Sequence, residues 1–254
     1  MDISTQIYYY FYLIVWCITG VLIIVKAVKS KINNLIPFGL SLISLGLASI
    51  PELLEIDISY SAAAIFRGVG LIFLLVFIEK TFYEGKKSPF IIFTACLIVG
   101  ASLMVILDLW NKTTPSTMLS YARDLSFAFT IFISFSWLTY ASLTSYKGVK
   151  TLSVEPHIKK RYQILGAVAF INLIPATFLS VEIPIAQTIF SDFSTIVLLG
   201  FLISSLITII FYYLLWFMPV SVKNYFNKGY TPKIEEEEIS EEELMKRIKE
   251  EIGK

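Results

Sequence analysis

Three ionisable side chains, Arg67, Arg123 and Asp124, fall inside long apolar stretches of this sequence. A charge near the bilayer centre costs about 2.5–3.5 kcal/mol on insertion scales, so such residues usually pair with one another. Pairing of Arg67 with Asp124 would leave Arg123 as an excess cation, which would suit a small anionic or carboxylate ligand. The alternative is a structural ion pair, with Arg123 reaching toward the interface.

Asn172 is a fourth candidate ligand-binding residue, because an amide inside hydrocarbon needs a hydrogen-bond partner. It begins the segment Asn172-Leu-Ile-Pro175. Proline inside a helix removes a backbone hydrogen bond and predicts a kink. The kink acts either as a hinge or as a packing feature, and the sequence does not decide between the two.

The apolar stretches contain no histidine, which several kinds of membrane enzyme require. The single histidine, His157, follows Pro156 beside a basic cluster, so we expect a solvated loop residue. Without an intramembrane histidine, the membrane region cannot hold a histidine-ligated haem, a His-bearing zinc site or a Ser–His dyad. We expect no catalytic residue, no metal and no cofactor, and a protein that is not an enzyme.

Seven apolar segments are long enough to carry these side chains across a membrane. Apolar residues make up 56% of the chain and charged residues 16%, and the mean hydropathy is +0.72. Soluble domains have fewer apolar and more charged residues, and a spanning helix takes about 20 mostly apolar residues. The predicted spans cover residues 6–26, 35–51, 60–80, 89–109, 119–145, 161–181 and 190–218. The prediction is an all-α integral membrane protein, a seven-transmembrane helix bundle in residues 1–221.

Lysine and arginine are concentrated in every second connection of this bundle. All but three of the 21 lysines and arginines fall after the first, third and fifth spans or in the tail; the exceptions are Arg67, Lys112 and Arg123. Cytoplasmic segments of membrane proteins are enriched in positive charge. We therefore predict a multi-pass protein of the cell (plasma) membrane with its N-terminus outside and its C-terminus cytoplasmic.

Residues 222–254 form a predicted cytoplasmic tail of different composition. After the acidic run Glu235–Glu238, Ser240 and Glu243 fit a capping box and predict a short amphipathic helix at about 241–252. Its apolar stripe, a candidate partner-binding surface, consists of Leu244, Met245, Ile248 and Ile252. So short a helix is marginal alone. It should therefore dock on the bundle itself, on a second copy, or on a cytoplasmic signalling protein.

The stretch from Ala62-Ala-Ala-Ile-Phe-Arg67-Gly-Val-Gly70 to Tyr83 and the stretch Glu155-Pro-His-Ile-Lys-Lys-Arg161-Tyr162 resemble seven-helix sensory modules at the N-terminus of prokaryotic and archaeal histidine kinases. The resemblance covers the membrane region and implies a sensory role. The tail departs from that family because it is too short for a kinase domain, so signalling would pass to a separate protein. The frequent Ile, Lys and Tyr residues suit an archaeal or thermophilic source.

The sequence therefore predicts a receptor-like membrane sensor, with ligand in the outer half of the bundle and signal transduction through the tail to a partner. One alternative is a small transporter or permease of the 3+1+3 kind, because Lys26-Ala-Val-Lys29 is similar to Lys147-Gly-Val-Lys150. Another is a non-catalytic accessory subunit of a membrane complex. Membrane lipid is an expected partner, and nucleic acid is not.

Overall fold

A computed structural model describes residues 3–55, 59–83, 87–150, 154–174 and 193–230, and the regular elements in these ranges are all helical. Helix α4 continues directly into a π-helical turn, Glu79–Tyr83. The helices are α1 (Ile3–Lys29), α2 (Leu35–Leu47), α3 (Ile50–Leu53), α4 (Ser59–Ile78), α5 (Phe90–Thr113), α6 (Thr117–Lys150), α7 (Pro156–Ile171), α8 (Phe193–Phe217) and α9 (Val220–Phe226). The predicted tail helix and Pro175 lie outside the described residues.

Five helical segments in the described ranges are long and apolar enough to cross a membrane. They are α1, α2 with α3, α4 with its π-helical turn, α5 and α6. A sixth exists if Leu202–Phe217 of α8 and Val220–Phe226 of α9, which meet at a bend of 84°, count as one span. Such a set is typical of a helical multi-pass membrane protein. The seventh span and the orientation stay predictions.

The outer surfaces of α1 and α5 suit lipid better than water. Both helices expose large aliphatic side chains over most of their length, among them Ile7, Ile14, Ile18, Val21, Ile91, Ile92, Val99 and Ile106. Contiguous apolar surface on this scale is rare on soluble monomers. The inward faces of the helices, in contrast, form one large apolar core, with a smaller cluster at Val149 and Tyr162.

Helices α1 and α2 pack closely because glycines face each other across their contact. A Cβ added to Gly20 would lie 2.6 Å from the carbonyl oxygen of Gly39, and one added to Gly39 would lie 2.5 Å from Cγ1 of Ile24. Small residues let membrane helices approach in this way, which maximises dispersion contacts. Van der Waals contacts between the two closely spaced backbones therefore stabilise the α1–α2 pair.

Helix α4 is the central element of the described bundle, since it packs against α2, α3, α5 and α6. Near its C-terminal end, an aromatic cluster joins α2, α4 and α8. The Phe38 ring centroid lies 4.8 Å from that of Phe77 and 4.8 Å from that of Tyr212. The C-terminal end of α4 is therefore packed among aromatic rings.

Candidate functional site

Asp108, near the C-terminal end of α5, is the centre of a group of charged residues that joins three helices. It is 3% exposed. Ser61 of α4 donates a hydrogen bond to its Oδ2 over 2.5 Å, and Nη1 of Arg123 on α6 lies 3.4 Å from its Oδ1. Lys112, one turn further along α5, places Nζ 3.7 Å from Oδ2. A carboxylate buried at this depth is stable only with such partners.

Arg123 is held on two further sides. Its Nε donates to Oδ1 of Asp124 over 3.0 Å, and its guanidinium carbon lies 3.9 Å from the ring centroid of Tyr60. The Tyr60 hydroxyl donates to the same Asp124 oxygen over 3.3 Å. Cation–π attraction and charge-assisted hydrogen bonds therefore act on one guanidinium together.

Arg67 lies beside this group and has its own acid, Glu52 of α3, with Nη2 and Oε1 3.9 Å apart. The predicted Arg67–Asp124 ion pair is wrong. The Tyr60 ring contacts both residues: it lies 5.6 Å from the Arg67 guanidinium carbon, and its hydroxyl bonds Asp124. Asp124 instead pairs with its sequence neighbour Arg123. Because the two residues are adjacent on α6, forming this pair costs little conformational entropy.

We name this group the charged cluster and define it by Glu52, Tyr60, Ser61, Arg67, Asp108, Lys112, Arg123 and Asp124. It holds three acids and three bases, so the predicted excess cation is also wrong. Asp108 was not among the predicted site residues, although it lies within the predicted span 89–109. Its position inside that span, four residues before Lys112, was the signal that could have identified it.

Asn172 makes contacts elsewhere in the bundle. It ends α7, and its Nδ2 donates to the carbonyl oxygen of Val168 over 2.8 Å and to Oγ1 of Thr208 on α8 over 2.8 Å. Its amide therefore has partners that connect α7 to α8. The structure brings Arg67, Arg123 and Asp124 together, but Asn172 belongs to a separate contact.

His157 corrects the expectation of a solvated loop residue, because it lies in the first turn of α7 and is 5% exposed. Its Nδ1 lies 2.9 Å from Oε2 of Glu155, and Nδ2 of Asn227 donates to the same oxygen over 2.8 Å. Burial and the nearby Arg161 lower the pKa of His157 below its usual value, although Glu155 opposes the shift. Asn227, which follows α9, contacts His157 and helps to bury its imidazole.

No family model matches the chain, and neither a curated protein nor a solved structure matches it at a significant level. The resemblance to histidine-kinase sensory modules therefore stays a prediction. Within the described ranges, no three His, Cys, Asp or Glu side chains are grouped so as to hold a metal ion. The charged cluster can bind by charge and hydrogen bonding, with Arg67 as its least closely paired base.

Proposed function

We propose that the chain is a receptor-like membrane sensor that binds a small anionic ligand at the charged cluster, in the outer half of the bundle, and signals through its cytoplasmic tail. The observation that carries the proposal is the burial of Asp108 with partners on α4 and α6. Ionisable residues inside membrane helices are expensive and mark functional sites by default. A balanced cluster can respond to a ligand that replaces one of its own carboxylates.

Arg67 is the residue that we propose contacts the ligand. Its ion pair with Glu52, the one found among the described residues, spans 3.9 Å, longer than the 3.0 Å between Arg123 and Asp124. Its guanidinium carbon lies 5.0 Å from the ring centroid of Phe127, and its side chain is 18% exposed. A ligand carboxylate could form the bidentate contact that guanidinium groups favour, and Glu52 would then be released from Arg67.

A chain of contacts supports signalling from the cluster toward the tail. Helix α4 carries Tyr60, Ser61 and Arg67 at one end and the π-helical turn at the other. Ring contacts join Phe82 of this turn to Tyr162 of α7 at 6.1 Å, and His157 of α7 contacts Asn227 after α9. Because π-helical turns inside helices occur often at functional sites, we propose this turn as the element that rearranges.

The proposal is tested by thermal unfolding of the full chain in nanodiscs, with acetate, succinate and benzoate compared with the corresponding amides. We expect at least one carboxylate, and not its amide, to raise the unfolding temperature. Arg67→Gln should abolish the rise. Lys87→Gln, which changes an exposed cation outside the charged cluster, should retain it.

Equal responses of wild type and Arg67→Gln, or no response to any carboxylate, would contradict a ligand site at Arg67. The same carboxylates are offered to proteoliposomes as radiolabelled solutes. Uptake that requires Arg67 would replace the sensor with the transporter alternative, because a sensor binds its ligand without moving it across the membrane.

A further inference from the structure

A cavity lies at the end of α4 opposite the charged cluster, between the loop after α1, the π-helical turn, the start of α7 and the end of α8. Its volume is about 80 Å³, enough for several non-hydrogen atoms. Apolar side chains form most of its wall, including Ile32, Leu35, Phe82, Leu165 and Leu215. We name it the Trp216 cavity after the indole that also lines it.

Two buried polar atoms at this cavity have no hydrogen-bond partner in the described part of the chain. They are the hydroxyl oxygen of Thr81 and the indole nitrogen of Trp216. Thr81 is 7% exposed and lies in the π-helical turn. Buried donors are nearly always paired in folded proteins, and leaving one unpaired is destabilising. Both residues line the same cavity, so a ligand bound there would be placed to accept these hydrogen bonds once the Thr81 and Trp216 side chains turn toward it.

The chemistry of the wall defines this ligand. An indole N–H can only donate, a threonine hydroxyl can donate, and the guanidinium of Arg161, which also lines the cavity, is a permanent cation with donors only. Lys26 adds a second positive charge nearby, because its Nζ donates a hydrogen bond to the Trp216 carbonyl oxygen. Glu79 shares the π-helical turn but is not among the residues that line the cavity. Asn34 and Tyr162 also line the cavity, and the Asn34 amide donates to the carbonyl oxygen of Lys80. Because the described wall holds a cation and no carboxylate, the complementary group is an anion with acceptor oxygens.

We propose that the Trp216 cavity binds the carboxylate and first methylenes of an anionic amphiphile of the fatty-acid class. The apolar wall suits an alkyl stem beside the charged group, as in small-molecule sites with few convergent polar groups. The volume suits a carboxylate of three non-hydrogen atoms better than a phosphodiester with two substituents. This site is separate from the charged cluster, because Thr81 is about 20 Å from Arg67 along α4 at 1.5 Å per residue, and it does not depend on the ligand proposed there.

The test measures binding of decanoate to the full chain in phosphatidylcholine nanodiscs by isothermal titration calorimetry, with decanol as the uncharged probe of equal length. Thr81→Val removes the hydroxyl at nearly constant volume and should raise the dissociation constant roughly tenfold, the loss of one hydrogen bond to a charged group. Arg161→Gln should weaken binding further. Decanol should bind much more weakly than decanoate.

The matched control is Thr94→Val, since the Thr94 hydroxyl on α5 is also buried without a partner in the described residues but does not line the cavity. Neither threonine variant should unfold at a lower temperature than wild type without ligand, because neither removes a described hydrogen bond. Arg67→Gln should leave decanoate binding unchanged, which separates this site from the charged cluster.

Equal decanoate affinities in wild type and Thr81→Val, or equal affinities for decanoate and decanol, would overturn the proposal. So would the absence of decanoate binding. Nanodiscs that contain phosphatidic acid provide the last arm. If phosphatidic acid stabilises the wild type but not Thr81→Val, and decanoate has no effect, the ligand is a phospholipid headgroup and the assignment to a fatty acid is wrong.

Discussion

At Asp108, one carboxylate meets a hydroxyl from α4, a guanidinium from α6 and an ammonium group from its own helix. Ser61 and Lys112 contact Oδ2 and Arg123 contacts Oδ1, so both carboxylate oxygens have partners where water cannot reach them. The aromatic ring of Tyr60 adds a second type of contact by covering the face of Arg123. A membrane bundle thus accommodates full charges by surrounding them with fixed dipoles and counterions.

We expect Asp108→Asn to destabilise the protein by about 3 kcal/mol, at the lower end for breaking a buried ion pair. The amide preserves the shape of the side chain but removes the charge that balances Arg123, and Asp124 compensates only in part. The free energy of unfolding is measured by steric trapping in bicelles. Lys112 is a more exposed partner of Asp108, so Lys112→Gln should change the free energy of unfolding by about 1 kcal/mol or less. Wild-type stability of Asp108→Asn would contradict a stabilising role for this buried charge.

At the scale of the elements, the glycine contact between α1 and α2 and the π-helical turn after α4 have opposite consequences. The glycines bring two backbones together and leave no room for a methyl group. The π-helical turn, which contains Thr81, instead widens the end of α4 beside the Trp216 cavity. We infer that the α1–α2 pair is a rigid part of the bundle, while the end of α4 has room to accept a ligand.

Gly20→Ala should destabilise the protein by about 1–3 kcal/mol, the usual range for overpacking, because the added Cβ would meet the backbone carbonyl of Gly39 at 2.6 Å. Backbone atoms cannot move aside as a flexible side chain can. Chemical unfolding in mixed micelles measures the change.

The control for this substitution is Gly200→Ala on α8, where an added Cβ meets no described atom within 4 Å. Alanine should stabilise α8 there by about 0.5–1 kcal/mol, because glycine in a helix loses more conformational entropy on folding. Equal effects of the two substitutions would contradict the close contact between α1 and α2.

At the scale of the whole molecule, α4 joins two polar regions that are separated by an apolar core. The charged cluster surrounds its first turns, and the Trp216 cavity and the His157 contacts lie near its other end. Phe38, Phe77 and Tyr212 fill the space toward the second region. The predicted orientation would place the cluster outside and the cavity at the cytoplasmic side, so each end would meet different ligands.

Orientation is tested by labelling single cysteines from outside intact cells with a membrane-impermeant maleimide. Positions 111 and 185 should react, and positions 148 and 228 should react only after the membrane is permeabilised, since lysine-rich connections stay cytoplasmic. The native Cys17 and Cys96 lie within spanning helices and should contribute little background. External labelling at position 148 would reverse the predicted topology and place the charged cluster inside.

The membrane class and the approximate position of most spans follow from the sequence by itself. Length and apolarity of a segment are local properties, and the bilayer requires little else of a spanning helix. The same reasoning found Arg67, Arg123 and Asp124, because a charge in an apolar stretch is visible without knowledge of its neighbours. It placed these three residues correctly in one region of the bundle.

The partners of these residues were decided only by the tertiary structure. Tyr60 of α4 and Asp108 of α5 come to Arg123 from two other helices, and no local pattern states which faces of α4, α5 and α6 meet. His157 is buried because the chain returns to it at Asn227, 70 residues later. The Trp216 cavity exists where four segments fail to fill a common space. Each of these features depends on packing between distant segments, and therefore on how the helices are arranged around α4.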